Sequence, residues 1–366
     1  MTPPTPTASL GRNMNRNRVR AAPANHRVAI AGTGACLPAT VVSNAQLSDR
    51  MHVAPEWIEE RTGIRERRVA ADSEATSDLA TAAARRAMLA ARLQADDIDL
   101  IIVATSTPDK PMPATACIVQ ANLRIGGCAA FDVDAVCTGF MYALAVARSM
   151  MMTDPRLRHA LVIGADVYSR ILDYTDSRTA SLFGDGAGAV VLSRAPAGLG
   201  ITDIELGADG AKAHYVRVPA GGSRRPASAE TLRDGDHFFK MDGRAVRTFV
   251  EAIFQRMLDD VLERSQLTMS ELALVVPHQA NVRLLHDCAK EAGLLPDQLA
   301  ISGDRYGNTG AASVPVTLDA AVRSGRVQGG DTVLLLAFGG GMTWGSALMT
   351  WTSREQFQPV PEGITS

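Results

Sequence analysis

The chain has 366 residues, 46% apolar and 21% charged, a globular composition that excludes a mainly disordered polymer. Its length suits two domains of ordinary size. The net charge of −2 supplies no overall basic field, which excludes bulk attraction to nucleic acid.

Residues 1–26 are rich in Pro, Ala, Asn and Arg, and the first acidic residue of the chain is Asp49. Three readings stand: a disordered N-terminal extension, an upstream start with Met14 as a second one, or an Arg-rich, acid-poor organelle transit peptide. No apolar core of a secretory signal is present in the segment. After Arg27 the chain alternates strand and helix signals. VAIAGTGACL (28–37) is a short apolar strand ended by Gly and Pro. TSDLATAAARRAMLAARL (76–93) opens with Thr76 and Ser77 as candidate caps and runs at helical spacing. IDLIIVATS (98–106) reads as a buried strand, 139–152 as a helix and HALVIGAD (159–166) as another strand. Continuous aliphatic strands between helices predict an α/β protein with a largely parallel sheet covered on both faces.

The second half repeats the first. ELALVVPHQ (271–279) answers DIDLIIVATS, and a glycine-bearing turn and helix at 307–323 answer those at 136–148. TVLLLAFGGG (332–341) answers HALVIGAD, and GSALMTW (345–351) answers GAGAVVLS (186–193). The first three offsets are roughly 170 residues and the last is shorter, as a loop deletion would leave it, which together read as an internal duplication. The division it predicts is a 1–26 extension, halves at 27–198 and 199–352, and a 353–366 tail. The uncharged stretch 332–351 is long enough for a bilayer, but Gly339, Gly340 and Gly341 interrupt it, so it is read as two strands around a turn.

Five cysteines stand at 36, 117, 128, 137 and 288 without a Cys-x-x-Cys pair or His/Cys ligand spacing. Neither a disulfide framework nor a zinc site is expected, and a cytosolic compartment is favoured. Cys137, in FDVDAVCTGF (131–140), follows an apolar strand and precedes Gly139 and a helix. The free N–H groups and dipole of a helix N-terminus favour a thiolate there, the nucleophilic form; the competing reading is an inert buried residue. The other four cysteines are read as packing residues. His278, in VVPHQANVR (275–283), lies just past a buried strand, where α/β sheets place their ligand crevice. Asn281 and Arg283 enter the following helix. Asn308 sits in the turn DRYGNTGAAS (304–313), where an ordinary turn role competes with a functional one. The glycines of FGDGAGA (183–189) and of 339–341 would let backbone N–H groups approach a ligand oxygen. A phosphate loop is the rival reading, but no Gly-Lys-Ser/Thr ending occurs.

Taken together, EWIEERTGIRERR (56–68), DVDAVCTGF, FGDGAGAVVL, VPHQAN, YGNTGAASVP and AFGGGMTWGSAL resemble β-ketoacyl-acyl-carrier-protein synthase III in order, spacing and wording. This is a condensing family of the thiolase-like superfamily, and the resemblance covers about residues 27–352. It implies a layered αβαβα fold of two pseudo-symmetric halves with central mixed sheets. It also implies a Cys–His–Asn triad of Cys137, His278 and Asn308. Elongating ketosynthases carry two histidines beside the cysteine, and thiolases a second cysteine near the C-terminal glycine turn, absent at 338–346.

The implied reaction is decarboxylative condensation of an acyl-CoA primer with malonyl-acyl carrier protein through an acyl-Cys137 intermediate. It initiates fatty-acid or related polyketide synthesis and needs no metal or redox cofactor, since the CoA thioesters are substrates. An acyltransferase to a hydroxyl or amine, a specialised secondary-metabolism ketosynthase and a silent carrier-binding subunit are the alternatives. By resemblance, Cys137 and Gly340 form the oxyanion hole and Phe338 positions the malonyl group. Trp57, Arg61, Arg178, Gly243 and Arg244 contact CoA, with Arg178 one place beyond the family's arginine position and Arg244 where the family has asparagine. Arg283 and Lys290 face the acidic carrier protein. Met112, Tyr168 and Phe183 belong to the acyl pocket; Tyr168 stands where the family has an aliphatic residue, and Met112 would act across a homodimer interface. No nucleic acid or membrane partner is expected.

Overall fold

A computed structural model describes residues 27–353 and 357. The expected 1–26 extension and nearly all of the 353–366 tail lie outside the described residues. The strands in chain order are β1 (Arg27–Cys36), β2 (Thr40–Ser43), β3 (Glu66–Val69), β4 (Leu100–Ala104), β5 (Ala129–Val133), β6 (His159–Asp166) and β7 (Gly186–Ala195). Then come β8 (Gly200–Ala208), β9 (Val216–Arg217), β10 (Lys240–Met241), β11 (Leu274–Pro277), β12 (Thr332–Gly339) and β13 (Thr343–Thr350).

Two mixed sheets carry the fold, with orders β1-β7-β6-β4-β5 and β11-β12-β13-β8. In the first, β4 runs parallel to β5 and β6, while β7 is antiparallel to β6 and β1. In the second, β11 and β12 are parallel and β13 is antiparallel to β12 and β8. The run β4-β6-β7-β1 therefore repeats as β11-β12-β13-β8, and the paired sequence segments hold equivalent places in the two sheets. The uncharged 332–351 stretch is the β12–β13 hairpin.

Strand alternation builds five layers. Leu100, Ile102 and Ala104 join Val333, Leu335 and Ala337 in a central core. That core also takes Phe140, Met141, Leu144 and Ala147 from the helix Gly139–Thr153, and Val314, Leu318 and Ala321 from the helix Ser313–Arg323. Ile101 and Val103, one residue out of phase, face a second core under the helices Thr76–Ala91 and Thr115–Leu123. Leu334, Leu336 and Phe338 do the same on the other sheet under Gly243–Ser265 and Val282–Glu291. Helices that are apolar on nearly every side belong between two sheets. That is why Val136–Thr153, long and apolar enough to suggest a membrane span, is a core helix.

The glycines of 184–188 do other work than expected. A Cβ on Gly188 would lie 2.6 Å from the Val316 backbone nitrogen, and one on Gly184 would collide with the Tyr306 carbonyl. Gly188 admits the helix Ser313–Arg323 against β7, and Gly184 admits the helical turn Gly303–Tyr306 against the segment before it, rather than a ligand oxygen. Asp185 beside them is fully buried and holds three donors: Ala70 N at 2.8 Å, Ser169 N at 2.9 Å and Ser169 Oγ at 2.6 Å.

Candidate active site

The parallel strands of both sheets deliver their C-terminal ends to one cleft, the usual ligand position in α/β sheets. Cys137 follows β5, His278 follows β11, and Phe338 and Gly339 end β12. These residues, Asn308 and Gly340 line a cleft of about 480 Å³. The sequence thus brings the predicted triad together from segments 171 residues apart at the extremes, 137 to 308.

Cys137 sits in the turn Val136–Thr138, directly ahead of the helix Gly139–Thr153. Val136 has φ of 50°, a left-handed conformation that costs a β-branched residue strain, held by its N–H donating to Asp134 Oδ1 at 2.9 Å. Cys137 is 7% exposed. The thiolate expected from the helix end is not the resting state: burial, then the Asp166 charge, push the thiol up to about 12. The Tyr168 hydroxyl works the other way.

His278 is held by its backbone N–H donating to the Leu336 carbonyl at 2.7 Å, and its ring lies edge-on to Phe338 at 5.5 Å. Burial lowers its pKa to about 3, so the ring is neutral. Nδ1 is 2.5 Å from Ser313 Oγ, and that oxygen accepts from the Gln279 N–H at 3.3 Å. A Ser313 hydroxyl donating to Nδ1 would leave the ring proton on Nε2, whereas an Nδ1–H donating to Ser313 would leave Nε2 as the acceptor. Asn308 is tied to the other half by its N–H to Leu182 O (2.8 Å) and by Gly184 N–H to its carbonyl (3.0 Å). Its side-chain Oδ1 accepts from Gly310 N–H at 2.9 Å, so the NH₂ group is the end left for the cleft. The cleft thus holds a thiol, a neutral imidazole and a side-chain amide, groups suited to acyl-transfer chemistry.

The remainder of the HQAN segment is structural. Gln279 Oε1 accepts from Ser302 and Gly303 N–H at 3.0 Å each, and Asn281 caps the helix Val282–Glu291 through Leu284 N–H. Gly341, with φ of 126°, makes the turn after β12.

Among the expected substrate contacts, Trp57 and Arg61 line the cleft and Arg61 stacks over the Trp57 ring at 5.0 Å. Arg178, Gly243, Phe183 and Arg283 line it too. Arg178 is exposed and pairs with Asp176 at 2.8 Å. Arg244 does not line the cleft. Gly243 begins a helix, so Val246, Arg247 and Val250 share its face, and Arg247 is the cation that reaches the cleft. Lys290 is exposed seven residues beyond Arg283 on the same helix, outside the cleft lining. Met112 is 79% exposed and lies away from this chain's cleft. Tyr168 is buried behind the lining, stacked on Phe183. Sequence reasoning missed Ser313, Asp166, Arg247 and Phe239. Ser313 closes the quoted DRYGNTGAAS turn, and Asp166 is a carboxylate at a strand's C-terminal end, a signal that was open to reading.

Fold and site define an acyltransferase of the thiolase-like condensing class. Residues 131–210 match the family described as 3-oxoacyl-[acyl-carrier-protein (ACP)] synthase III, and residues 262–351 match its C-terminal family. The chain is 46% identical over 323 residues to a β-ketoacyl-[acyl-carrier-protein] synthase III of Caldanaerobacter subterraneus subsp. tengcongensis, covering 88% of this chain and 97% of that one. It is 48% identical over 320 residues to one of Thioalkalivibrio sulfidiphilus, covering 87% and 98%. The crystal structure of 3-oxoacyl-[acyl-carrier-protein] synthase III from Aquifex aeolicus superposes with a TM-score of 0.82 at 38% identity, covering 88% of this chain and all of that one. The chain belongs to the β-ketoacyl-acyl-carrier-protein synthase III family.

Proposed function

We propose that the enzyme condenses an acyl-CoA primer with malonyl-acyl carrier protein, releasing CoA and CO₂ and giving a 3-oxoacyl carrier product that initiates fatty-acid synthesis. The observation that carries this reading is the convergence of Cys137, His278 and Asn308 on one cleft, with the His278 proton read on Nε2 and the Asn308 NH₂ turned inward. Cys137 attacks the primer thioester as its thiolate, a new S–C bond forms, and the CoA thiolate leaves. The backbone N–H groups of Cys137 and Gly340 hold the tetrahedral oxyanion. The malonyl thioester then enters, and His278 and Asn308 donate to its carbonyl oxygen. Loss of CO₂ leaves an enolate that these two donors stabilise. Its carbon attacks the acyl-Cys137 carbonyl, and the sulfur leaves. Phe338, 2% exposed beside the histidine, makes an apolar wall that disfavours the malonyl carboxylate and favours its departure as CO₂.

Trp57 and Arg61 receive the adenine end of CoA at the cleft mouth, with Arg178, Arg247 and Gly243 along the same wall. Arg283 and Lys290 present positive charge to the acidic carrier. The halves 27–198 and 199–352 act as two copies of one unit around this site. We read the enzyme as a cytoplasmic homodimer. In support, β5 is an edge strand that pairs only with β4 among the described residues, and Met112 stands exposed to reach a partner's acyl pocket.

The test is product analysis with acyl-CoA and malonyl-acyl carrier protein. The reading predicts 3-oxoacyl carrier and CO₂ in equal amounts from wild type and neither from His278→Ala or Asn308→Ala that still accept the primer. Acyl transfer to a hydroxyl or amine without CO₂ release would replace it.

A further inference from the structure

Asp166, at the C-terminal end of β6, is a fully buried carboxylate that the condensation scheme does not use. Gly164 and Asp166 lie two residues apart on one face of β6, and both meet the Gly310–Ala312 turn of the other half. A Cβ on Gly164 would collide with the Ala311 carbonyl, so the glycine admits the turn. Asp166 Oδ2 accepts from the Ala311 N–H at 2.8 Å. Oδ1 accepts from Ser106 N–H and Thr107 Oγ1 at 2.9 Å each, and from Thr105 Oγ1 and Ser106 Oγ at 3.2 Å each. These donors are all neutral, and their number is what offsets burying the charge. Burial raises the carboxyl to about 6, with the Ala311 and Ser106 N–H bonds working against burial, so it is ionised at neutral pH. An amide would bury no charge, but it has one acceptor oxygen where backbone N–H groups approach from two sides.

The turn that the carboxylate holds carries chemistry at both ends. The next N–H along, that of Gly310, donates to Asn308 Oδ1 at 2.9 Å and sets the orientation of that amide. Gly310 has φ of 58°, and a Cβ there would collide with Asp166 Oδ2, so the turn sits directly against the carboxylate. Three residues on, Ser313 Oγ lies 2.5 Å from His278 Nδ1. A side chain of the first half thus anchors the segment between Asn308 and Ser313 in the second.

We propose that Asp166 is a positioning residue for the condensation step: its carboxylate fixes the Gly310–Ala312 turn and, through it, the Asn308 amide and the Ser313 hydroxyl beside His278. This rests on the condensing reading for the step it serves, though not for the clamp itself. Asp166 lies behind the cleft lining and neither takes nor gives a proton in this role. Asp166→Asn keeps the size of the side chain, but its NH₂ group must face either the Ala311 N–H or the Ser106 N–H. Donor against donor pushes the turn out of place. The Asn308 amide then meets the malonyl thioester misaligned, while Cys137, set by β5 and its own turn Val136–Thr138, still attacks the primer.

The experiment follows the two half-reactions separately in the full chain. Acylation is measured in single turnover with the member of an acyl-CoA panel that loads wild type fastest. Discharge of the acyl-enzyme by malonyl-acyl carrier protein is then timed, with CO₂ release counted. Asp166→Asn should discharge at least about tenfold more slowly, with CO₂ release slowed equally, while acylation falls by no more than about twofold. Thr107→Val, which takes one donor from Oδ1, should show the same split at about threefold, and Thr107→Ser should restore wild-type rates. Unchanged discharge in Asp166→Asn overturns the assignment. Equal losses in both half-reactions overturn it too, since a merely structural residue would slow both. If that variant does not fold, equal losses or none in Thr107→Val do so. A wild type that takes no acyl group from the panel, or releases no CO₂, sinks the condensing reading and with it the step assigned to Asp166; that failure shows before any substitution is made.

Discussion

Gly339 and Cys137 are packed so closely that a Cβ on the glycine would lie 3.0 Å from both the Cβ and the backbone nitrogen of the cysteine. The end of β12 therefore presses directly on the nucleophile turn, and one half of the molecule sets the position of the other half's sulfur. Gly339→Ala must push that turn away. We predict a fall in acylation rate of about a hundredfold or more, with a stability loss of about 1–3 kcal/mol, read by stopped-flow acylation and denaturant unfolding. Normal acylation in this variant would show the turn to be more yielding than this packing implies.

Ser313 Oγ lies 2.5 Å from His278 Nδ1, and in the proposed reaction it donates there and keeps the ring proton on Nε2. Ser313→Ala frees the ring to place its proton on Nδ1 and removes a donor from the enolate site. Condensation should slow by at least about tenfold while acylation of Cys137 by acyl-CoA keeps its wild-type rate. Single-turnover measurements of the two half-reactions separate these steps; equal losses in both would contradict the tautomer role.

His278 is buried neutral, its pKa lowered from 6.5 to about 3 by burial. The unfolded chain takes up a proton below about pH 6.5 that the folded chain refuses, so stability is full above that value and falls as pH drops toward the folded pKa. His278→Gln should recover about 2 kcal/mol of the acid-induced loss between roughly pH 6.5 and 4.5, measured by urea unfolding at each pH. Parallel stability–pH curves for the two proteins would contradict it.

Arg283 lines the cleft and Lys290 follows it, exposed, on the same helix. Arg283→Glu should raise KM for the malonyl carrier about tenfold, with a weaker salt dependence, and leave kcat nearly unchanged. A change in kcat alone would place the residue elsewhere in the cycle.

Much of this was legible in the sequence, and the reasons differ by element. The internal repeat was legible because aliphatic runs recur at similar offsets, and the paired segments are β4 and β11, β6 and β12, and β7 and β13, which hold equivalent places in the two sheets. Cys137, His278 and Asn308 each follow a strand or lie in a turn before a helix, so their convergence could be anticipated. The resting state of Cys137 could not: a helix N-terminus is visible in sequence, whereas its burial and the distant Asp166 are properties of the packed fold. Arg247 was hidden by a single-position alignment at Arg244, since only the phase of the helix from Gly243 tells which side meets the cleft. The glycines at 184–188 looked like ligand contacts because sequence does not distinguish close approach to a ligand from close approach to Val316 or Tyr306.

The central claim is a covalent acyl group on Cys137 that is consumed by decarboxylative condensation. Intact-mass spectrometry of the enzyme mixed with an acyl-CoA tests it most directly. One acyl group per chain should appear, mapped to Cys137 and absent from Cys137→Ala, and malonyl-acyl carrier protein should discharge it. No adduct on folded wild type across a panel of acyl-CoAs, or an adduct on another residue that persists in Cys137→Ala, would contradict the account.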